Sequence, residues 1–224
     1  MRRLRTPRGS QQRCDKGVLL LPSVVYIVDD DVSFLTATRQ QLQLAGYEVL
    51  VYSSAEQFLD QKRDESRLGC LLVDASIPGP NGRTLQARLH EAGSMVPIVF
   101  VSGYEDTKTV VQTIKAGAED FLAKPVTYDV LLAAIERAVA RHDVSIKLQS
   151  ELTALRARVA MLTPRERQVL DLVIRGKTNK YIGFELGATQ RTIKAHRQKV
   201  MEKMDARTLV ELVLIAKRLG RSAL

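Results

Sequence analysis

Five short apolar runs punctuate the first half of the chain: "VVYIV" (24–28), "YEVLVY" (47–52), "CLLV" (70–73), "IVFV" (98–101) and "FLA" (121–123). Between them the spacing turns helical. "FLTATRQQLQLAG" places Leu35, Leu42 and Leu44 near one helix face and stops at Gly46, and "TVVQTIKAG" repeats apolar residues at the same period and stops at Gly117. Strand followed by helix, five times over, with "TYDVLLAAIERAVARH" as the last helix, predicts a parallel sheet covered on both faces. Its crossovers are expected to be right-handed.

Beyond residue 142 the alternation ends. Residues 143–162 contain neither glycine nor proline, so they make no flexible tether, and Leu148, Leu152, Leu155, Val159 and Leu162 step by four and three like the seam of a short coiled coil. The expectation is a helix continuing from the preceding one. A dimer seam and packing on its own domain fit that spacing equally well.

The last part is all helical. Thr163 is an N-cap, Pro164 takes the first helical position, Glu166 completes a capping box, Val169, Leu170 and Val173 form a buried stripe, and Gly176 ends the helix. A short second helix follows Thr178, Gly187 marks a tight turn, and Thr189 caps a longer helix with Ile193, Val200 and Met204 facing inward. Two helices joined by a brief turn, the second basic on its outer side, describe a helix-turn-helix.

Charge sharpens this division. Of 34 Lys and Arg against 25 Asp and Glu, residues 1–23 carry 6 against 1, residues 24–142 carry 11 against 16, and residues 163–224 carry 14 against 6. An acidic middle and a basic end suggest two domains with different partners, the basic one a nucleic-acid binder. The basic start ahead of apolar residues imitates a signal peptide, but Pro22 breaks the apolar part and no small-residue cleavage pattern follows. No window approaches the roughly 18 uninterrupted apolar residues of a membrane span. Two cysteines, Cys14 and Cys70, cannot form a disulfide framework, which fits a reducing cytoplasm.

The residues that follow the apolar runs carry the chemistry. Asp29, Asp30 and Asp31 follow the first, Asp74 the third, Ser102 the fourth and Lys124 the fifth. In an open parallel sheet all of these reach the edge where ligands bind. Like charges resist being adjacent, and a hard divalent cation with oxygen ligands, such as magnesium, would hold such carboxylates together.

"IVDDD", "LLVDASIPGPNG", "IVFVSGYED" and "KAGAEDFLAKPV" together resemble the receiver domain of bacterial two-component response regulators, over about residues 24–142. The resemblance implies a doubly wound, flavodoxin-like α/β fold of five strands. In it Asp74 accepts a phosphoryl group from a sensor histidine kinase, and Asp29, Asp30, Asp74 and the backbone carbonyl of Ser76 hold Mg²⁺. By the same resemblance Ser102 and Lys124 bind the phosphoryl group, Phe121 turns inward with Ser102 on activation, and Lys124-Pro125 is cis. Phe121 as plain core and Lys124 as a neutralising ion pair are the simpler roles. Tyr104, bulky and two residues past Ser102, suggests slow self-dephosphorylation.

"LTPRERQVLDLVIRGKTNKYI...TQRTIKAHRQKVMEKM" resembles the LuxR-type DNA-binding domain, over about residues 163–220, so that the whole chain resembles a NarL/FixJ-type response regulator. That likeness aims Lys194, Ala195 and Gln198 at base edges and lets Arg191, Thr192, Arg197 and Lys199 grip phosphates. Tyr181 and Gly183 depart from the pattern, where an acidic residue and alanine are usual. The glycine is expected to cost its helix up to about 1 kcal/mol and some rigidity.

The domains expected are therefore a basic, disordered tail (1–23), a receiver (24–142), a helical linker (143–162) and a DNA-binding domain (163–224). The function expected is a cytoplasmic transcription regulator rather than an enzyme, forming a homodimer on phosphorylation. Its partners are a sensor histidine kinase, double-stranded promoter DNA and, as a further candidate, RNA polymerase, with no membrane. The rival is a phosphorylation-independent factor whose receiver only dimerises. A metal-dependent phosphohydrolase is the enzymatic alternative; no His or spare carboxylate closely follows Asp74 to act as its general acid.

Overall fold

The computed structural model describes residues 22–221 apart from 62–63, 65–66, 79–80 and 104–106. Tyr104 and nearly all of the basic tail, Cys14 included, lie outside the described residues. The described chain divides into two compact units within one long helix, between Ile135 and Glu136; His90–Pro97 belongs with the second.

The first unit alternates β1 (Val24–Val28), α1 (Val32–Leu44), β2 (Glu48–Tyr52), α2 (Ala55–Asp60), β3 (Gly69–Asp74), α3 (Gly82–Glu91), β4 (Ile98–Ser102), α4 (Thr107–Lys115) and β5 (Asp120–Ala123), and enters α5 (Tyr128–Ala160). The five strands are parallel in the order β2-β1-β3-β4-β5. β1, β3 and β4 are buried along their whole lengths, which is why they read as unbroken apolar runs, while the edge strands β2 and β5 are only partly buried. Order reverses between β1 and β3, which sets the carboxyl ends of these two strands at the topological switch. Register then fixes the site: Val28 pairs with Val73, Asp74 with Val101, and Ser102 with Ala123.

Leu35, Thr38 and Leu42 bury the inner face of α1, but Leu44 is 90% exposed, contrary to the periodicity reading. Two positions past Leu42 is more than half a turn around a helix, so both cannot face the sheet. Gly46 ends this segment at φ 92°, as its position suggests. Gly82 opens α3 directly against the sheet: a Cβ there would stand 2.7 Å from the Phe100 ring and 3.0 Å from the Asp74 carbonyl.

The second unit holds the rest of α5 followed by α6 (Pro164–Ile174), α7 (Asn179–Leu186), α8 (Gln190–Met204) and α9 (Leu209–Arg218). Its core is built from Leu162, Val169, Leu170, Val173, Ile182, Ile193, Val200, Met204 and Leu212. α5 is continuous from Tyr128 to Ala160, as the absence of helix breakers predicts. Leu155 is buried, Val159 packs on the core around Leu162, and Leu148 is exposed, so the C-terminal part of the heptad pattern is spent inside this unit.

Gly183 departs from the expected loosening of α7. A Cβ at this buried position would lie 2.7 Å from the Ala188 carbonyl, and the Ala188 amide donates to the Gly183 carbonyl at 2.9 Å. The glycine thus permits close packing of α7 on the turn into α8. Among the described residues no helix is long and apolar enough to cross a membrane.

Candidate functional site

The three adjacent aspartates have separate tasks. Asp31 caps α1, its Oδ1 accepting from the amides of Ser33 (2.8 Å) and Phe34 (3.2 Å). Asp29, 1% exposed, accepts the Asp31 amide on Oδ1 at 2.8 Å and the Lys124 ammonium on Oδ2 at 2.7 Å. Asp30 is exposed.

From β3, buried Asp74 accepts the Ser76 amide on Oδ1 at 2.7 Å and Lys124 Nζ on Oδ2 at 2.6 Å. Lys124 directly follows β5 and is joined to Pro125 by a cis bond, and its ammonium also lies 4.3 Å from the centre of the Phe34 ring. One ammonium therefore bridges the acids of two strands.

Burial holds the Asp29 carboxyl above the ordinary aspartate value, although Lys124 and the Asp31 amide pull the other way. Burial also works against the Lys124 ammonium, but its hydrogen bonds to Asp29 and Asp74 prevail and its pKa is raised. Carboxylate oxygens of Asp29, Asp30 and Asp74 lie within 4.8 Å of one another. Three carboxylates face one ammonium, an excess of negative charge suited to a divalent cation with oxygen ligands. These residues fit Mg²⁺.

Ser102 is buried at the end of β4, and its hydroxyl shares a 3.2 Å hydrogen bond with that of Ser76. Phe121 is half-buried, its ring stacked on Phe100 with centroids 6.2 Å apart. Spacing gave no sign of the Ser76–Ser102 contact or of Phe34. The aromatic residue one turn into a helix that starts at the acid cluster was the available signal for the latter.

In the second unit the capping box on α6 forms as expected: Thr163 Oγ1 accepts the Glu166 amide at 3.3 Å and Glu166 Oε2 accepts the Thr163 amide at 2.9 Å. The same oxygen accepts Lys203 Nζ from α8 at 2.7 Å. That bond, together with the Thr163 amide, holds the Glu166 carboxyl below the ordinary glutamate value despite its burial.

Gly187, at φ 63°, ends α7, and Thr189 caps α8 two residues later. Arg191, Lys194, Ala195 and Gln198 form one exposed stripe of α8 opposite Ile193 and Val200. Thr192 is exposed and hydroxyl-bonded to Thr189, and Lys199 is exposed. Arg197 is half-buried and donates to Asn179 Oδ1 at 2.8 Å, tying α8 to the start of α7, a tie that the phosphate reading missed. Gln198 Nε2 donates to Glu202 at 3.0 Å.

An acid site at the switch of a five-stranded parallel sheet, joined to a basic helix-turn-helix, defines a signal receiver coupled to a DNA-binding module. Comparison with known proteins agrees over nearly the whole chain. The family described as response regulator receiver domain matches residues 25–136, and that described as bacterial regulatory proteins, luxR family, matches residues 160–216. Response regulator protein TodT of Pseudomonas putida is 37% identical over 200 residues, 89% of this chain and 88% of that protein. Transcriptional regulatory protein FixJ of Bradyrhizobium diazoefficiens is 38% identical over 196 residues, 88% of this chain and 95% of that one. The solved structure of response regulator StyR superposes with a TM-score of 0.78 at 37% identity, covering 88% of this chain and 99% of the other. The chain belongs to the response regulators that join a receiver to a LuxR-type DNA-binding domain, and it is a transcriptional regulator of a two-component system.

Proposed function

We propose that phosphorylation of Asp74 by a sensor histidine kinase controls DNA binding by this protein. The observation that carries the reading is Lys124 Nζ held between Asp29 Oδ2 and Asp74 Oδ2 at 2.7 and 2.6 Å. A buried carboxylate is so oriented, with a fixed positive charge beside the oxygen at which phosphoryl charge would arrive. Asp29, Asp30, Asp74 and the Ser76 carbonyl would hold Mg²⁺. When bound, the ion supplies further positive charge against the phosphoryl oxygens.

An Asp74 oxygen attacks phosphorus, a P–O bond forms, and the P–N bond of the phosphohistidine breaks with its electron pair left on the imidazole. Lys124 and the Ser102 hydroxyl then bind the acquired phosphoryl oxygens. Ser102 and Phe121 change position with them, shifting a two-state equilibrium toward a form that dimerises. Residues 24–142 act as the receiver, 143–162 as the linker and 163–224 as the DNA-binding domain, in the cytoplasm.

On double-stranded promoter DNA, Lys194, Ala195 and Gln198 reach base edges while Arg191, Thr192 and Lys199 grip phosphates. Arg197, with one N–H group committed to Asn179, offers the remainder of its guanidinium to the same backbone. RNA polymerase is a further partner at the promoter.

Acetyl phosphate with Mg²⁺ tests the reading. Mass spectrometry of digested protein is expected to find one phosphoryl group, on Asp74, and promoter-fragment affinity is expected to rise in step with it. Modification that persists in Asp74→Ala, or an affinity that ignores modification, would overturn it.

A further inference from the structure

Ser76 touches the acid site twice. Its amide holds Asp74 Oδ1 at 2.7 Å, and its hydroxyl meets the Ser102 hydroxyl at 3.2 Å, 26 positions away in sequence. Ser102 is 2% exposed, and among the described residues Ser76 is the hydrogen-bond partner of its hydroxyl. We propose that the Ser76 hydroxyl is a latch: it holds Ser102 in the resting position and so sets how readily phosphorylation switches the receiver. This rests on the reading above, in which Asp74 takes the phosphoryl group and Ser102 follows it.

A hydroxyl has a single proton to donate, and a phosphoryl oxygen at the pH of the cell only accepts. Once Ser102 donates to the phosphoryl group, that proton is no longer available to Ser76. Losing the Ser76 hydroxyl therefore deprives the resting state of the partner to a buried hydroxyl, whereas in the phosphorylated state Ser102 keeps the phosphoryl oxygen as acceptor. An unsatisfied buried hydroxyl is costly, so the substitution penalises the resting state more and shifts the equilibrium toward the active one.

The expected effect is modest. At 3.2 Å the contact is long for a bond between hydroxyls, and Ser76 is on the exposed side where water replaces part of what is lost. The Ser76 backbone is unchanged by replacement of its side chain, so the amide bond to Asp74 survives.

The test is a titration of the full chain with beryllofluoride in the presence of Mg²⁺, followed by NMR, for wild type, Ser76→Ala, Ser76→Thr, Ser102→Ala, the double variant Ser76→Ala/Ser102→Ala, and Asp74→Ala. Ser76→Ala is expected to bind about 2- to 5-fold more tightly than wild type. Ser76→Thr, which keeps the hydroxyl, is expected to return to the wild-type value, and Ser76→Ala is expected to change nothing when Ser102 is already alanine. Equal or weaker binding by Ser76→Ala sinks the latch, as does a gain that persists without the Ser102 hydroxyl. Wild-type binding no different from that of Asp74→Ala would instead bring down the phosphoacceptor reading, and the latch with it.

Discussion

Lys203→Met tests whether the buried carboxylate of Glu166 depends on its partner from α8. Glu166 is 2% exposed and accepts two hydrogen bonds on Oε2, from Lys203 and from the Thr163 amide. Stripping the partner from a fully buried charge costs about 3–5 kcal/mol. Two features reduce this: the Lys203 side chain is 34% exposed, so water already screens the pair, and the Thr163 amide remains as a donor. The expected loss is about 2 kcal/mol at neutral pH, or roughly 8–16 °C in the melting temperature of a domain this small.

The pH dependence carries a definite sign. Because folding depresses the Glu166 pKa, the stabilisation is present above the ordinary glutamate range and is lost as pH falls through the folded value. The variant lacks the principal cause of that depression, so its deficit should be largest near neutrality and shrink in acid. Calorimetry of the full chain from pH 7 down to about pH 3, below the ordinary glutamate range, with the Glu166→Gln variant closing a double-mutant cycle, measures both quantities. A deficit that is absent at neutral pH, or that does not shrink on acidification, refutes the reasoning.

Other expectations follow from single contacts. Phe34→Leu removes the ring beneath the Lys124 ammonium and is expected to slow Asp74 phosphorylation by acetyl phosphate about 2- to 5-fold without changing the melting temperature of the receiver, a rate equal to wild type counting against a role for the ring. Gly183→Ala forces a methyl group toward the Ala188 carbonyl and is expected to lower the stability of the DNA-binding domain by about 1–3 kcal/mol in urea unfolding, where gain in helix propensity alone predicts the opposite sign. Burial pushes the Cys70 thiol up to about 12, so in a Cys14→Ser background iodoacetamide at pH 8 is expected to label it only as urea unfolds the chain; rapid native labelling would contradict its placement in the core.

How much of this was legible in sequence depended on whether a residue's task was local or shared. β1, β3 and β4 were readable because parallel strands buried on both faces admit little but apolar residues, and the caps at Thr163 and Thr189 because each acts within three residues of itself. The sheet-end logic likewise brought Asp29, Asp74, Ser102 and Lys124 to one edge. What spacing could not do was separate chemically identical neighbours or find partners across long loops. Asp31 as a cap and Asp29 as a buried acceptor look alike in one dimension; so do an Arg197 that waits for phosphate and one bonded to Asn179, 18 residues back. Leu44 failed for a different reason: its spacing already set it more than half a turn from Leu42, so the period excluded it from the buried face and the reading did not follow the period.

The stitching at the start of α1 leaves three neighbours of one kind with unequal freedom to vary. Asp29 has both oxygens committed, so asparagine in its place would set an amide N–H₂ against one of the two donors. Asp31 needs only an acceptor within reach of two amides, which serine, threonine or asparagine also provides. Between them, solvent-facing Asp30 is tied to no backbone amide among the described residues, and its affinity for a cation is what would keep a carboxylate there. Drift among descendants of this gene is therefore expected to erode the triplet from its third member inward, and last of all at its first.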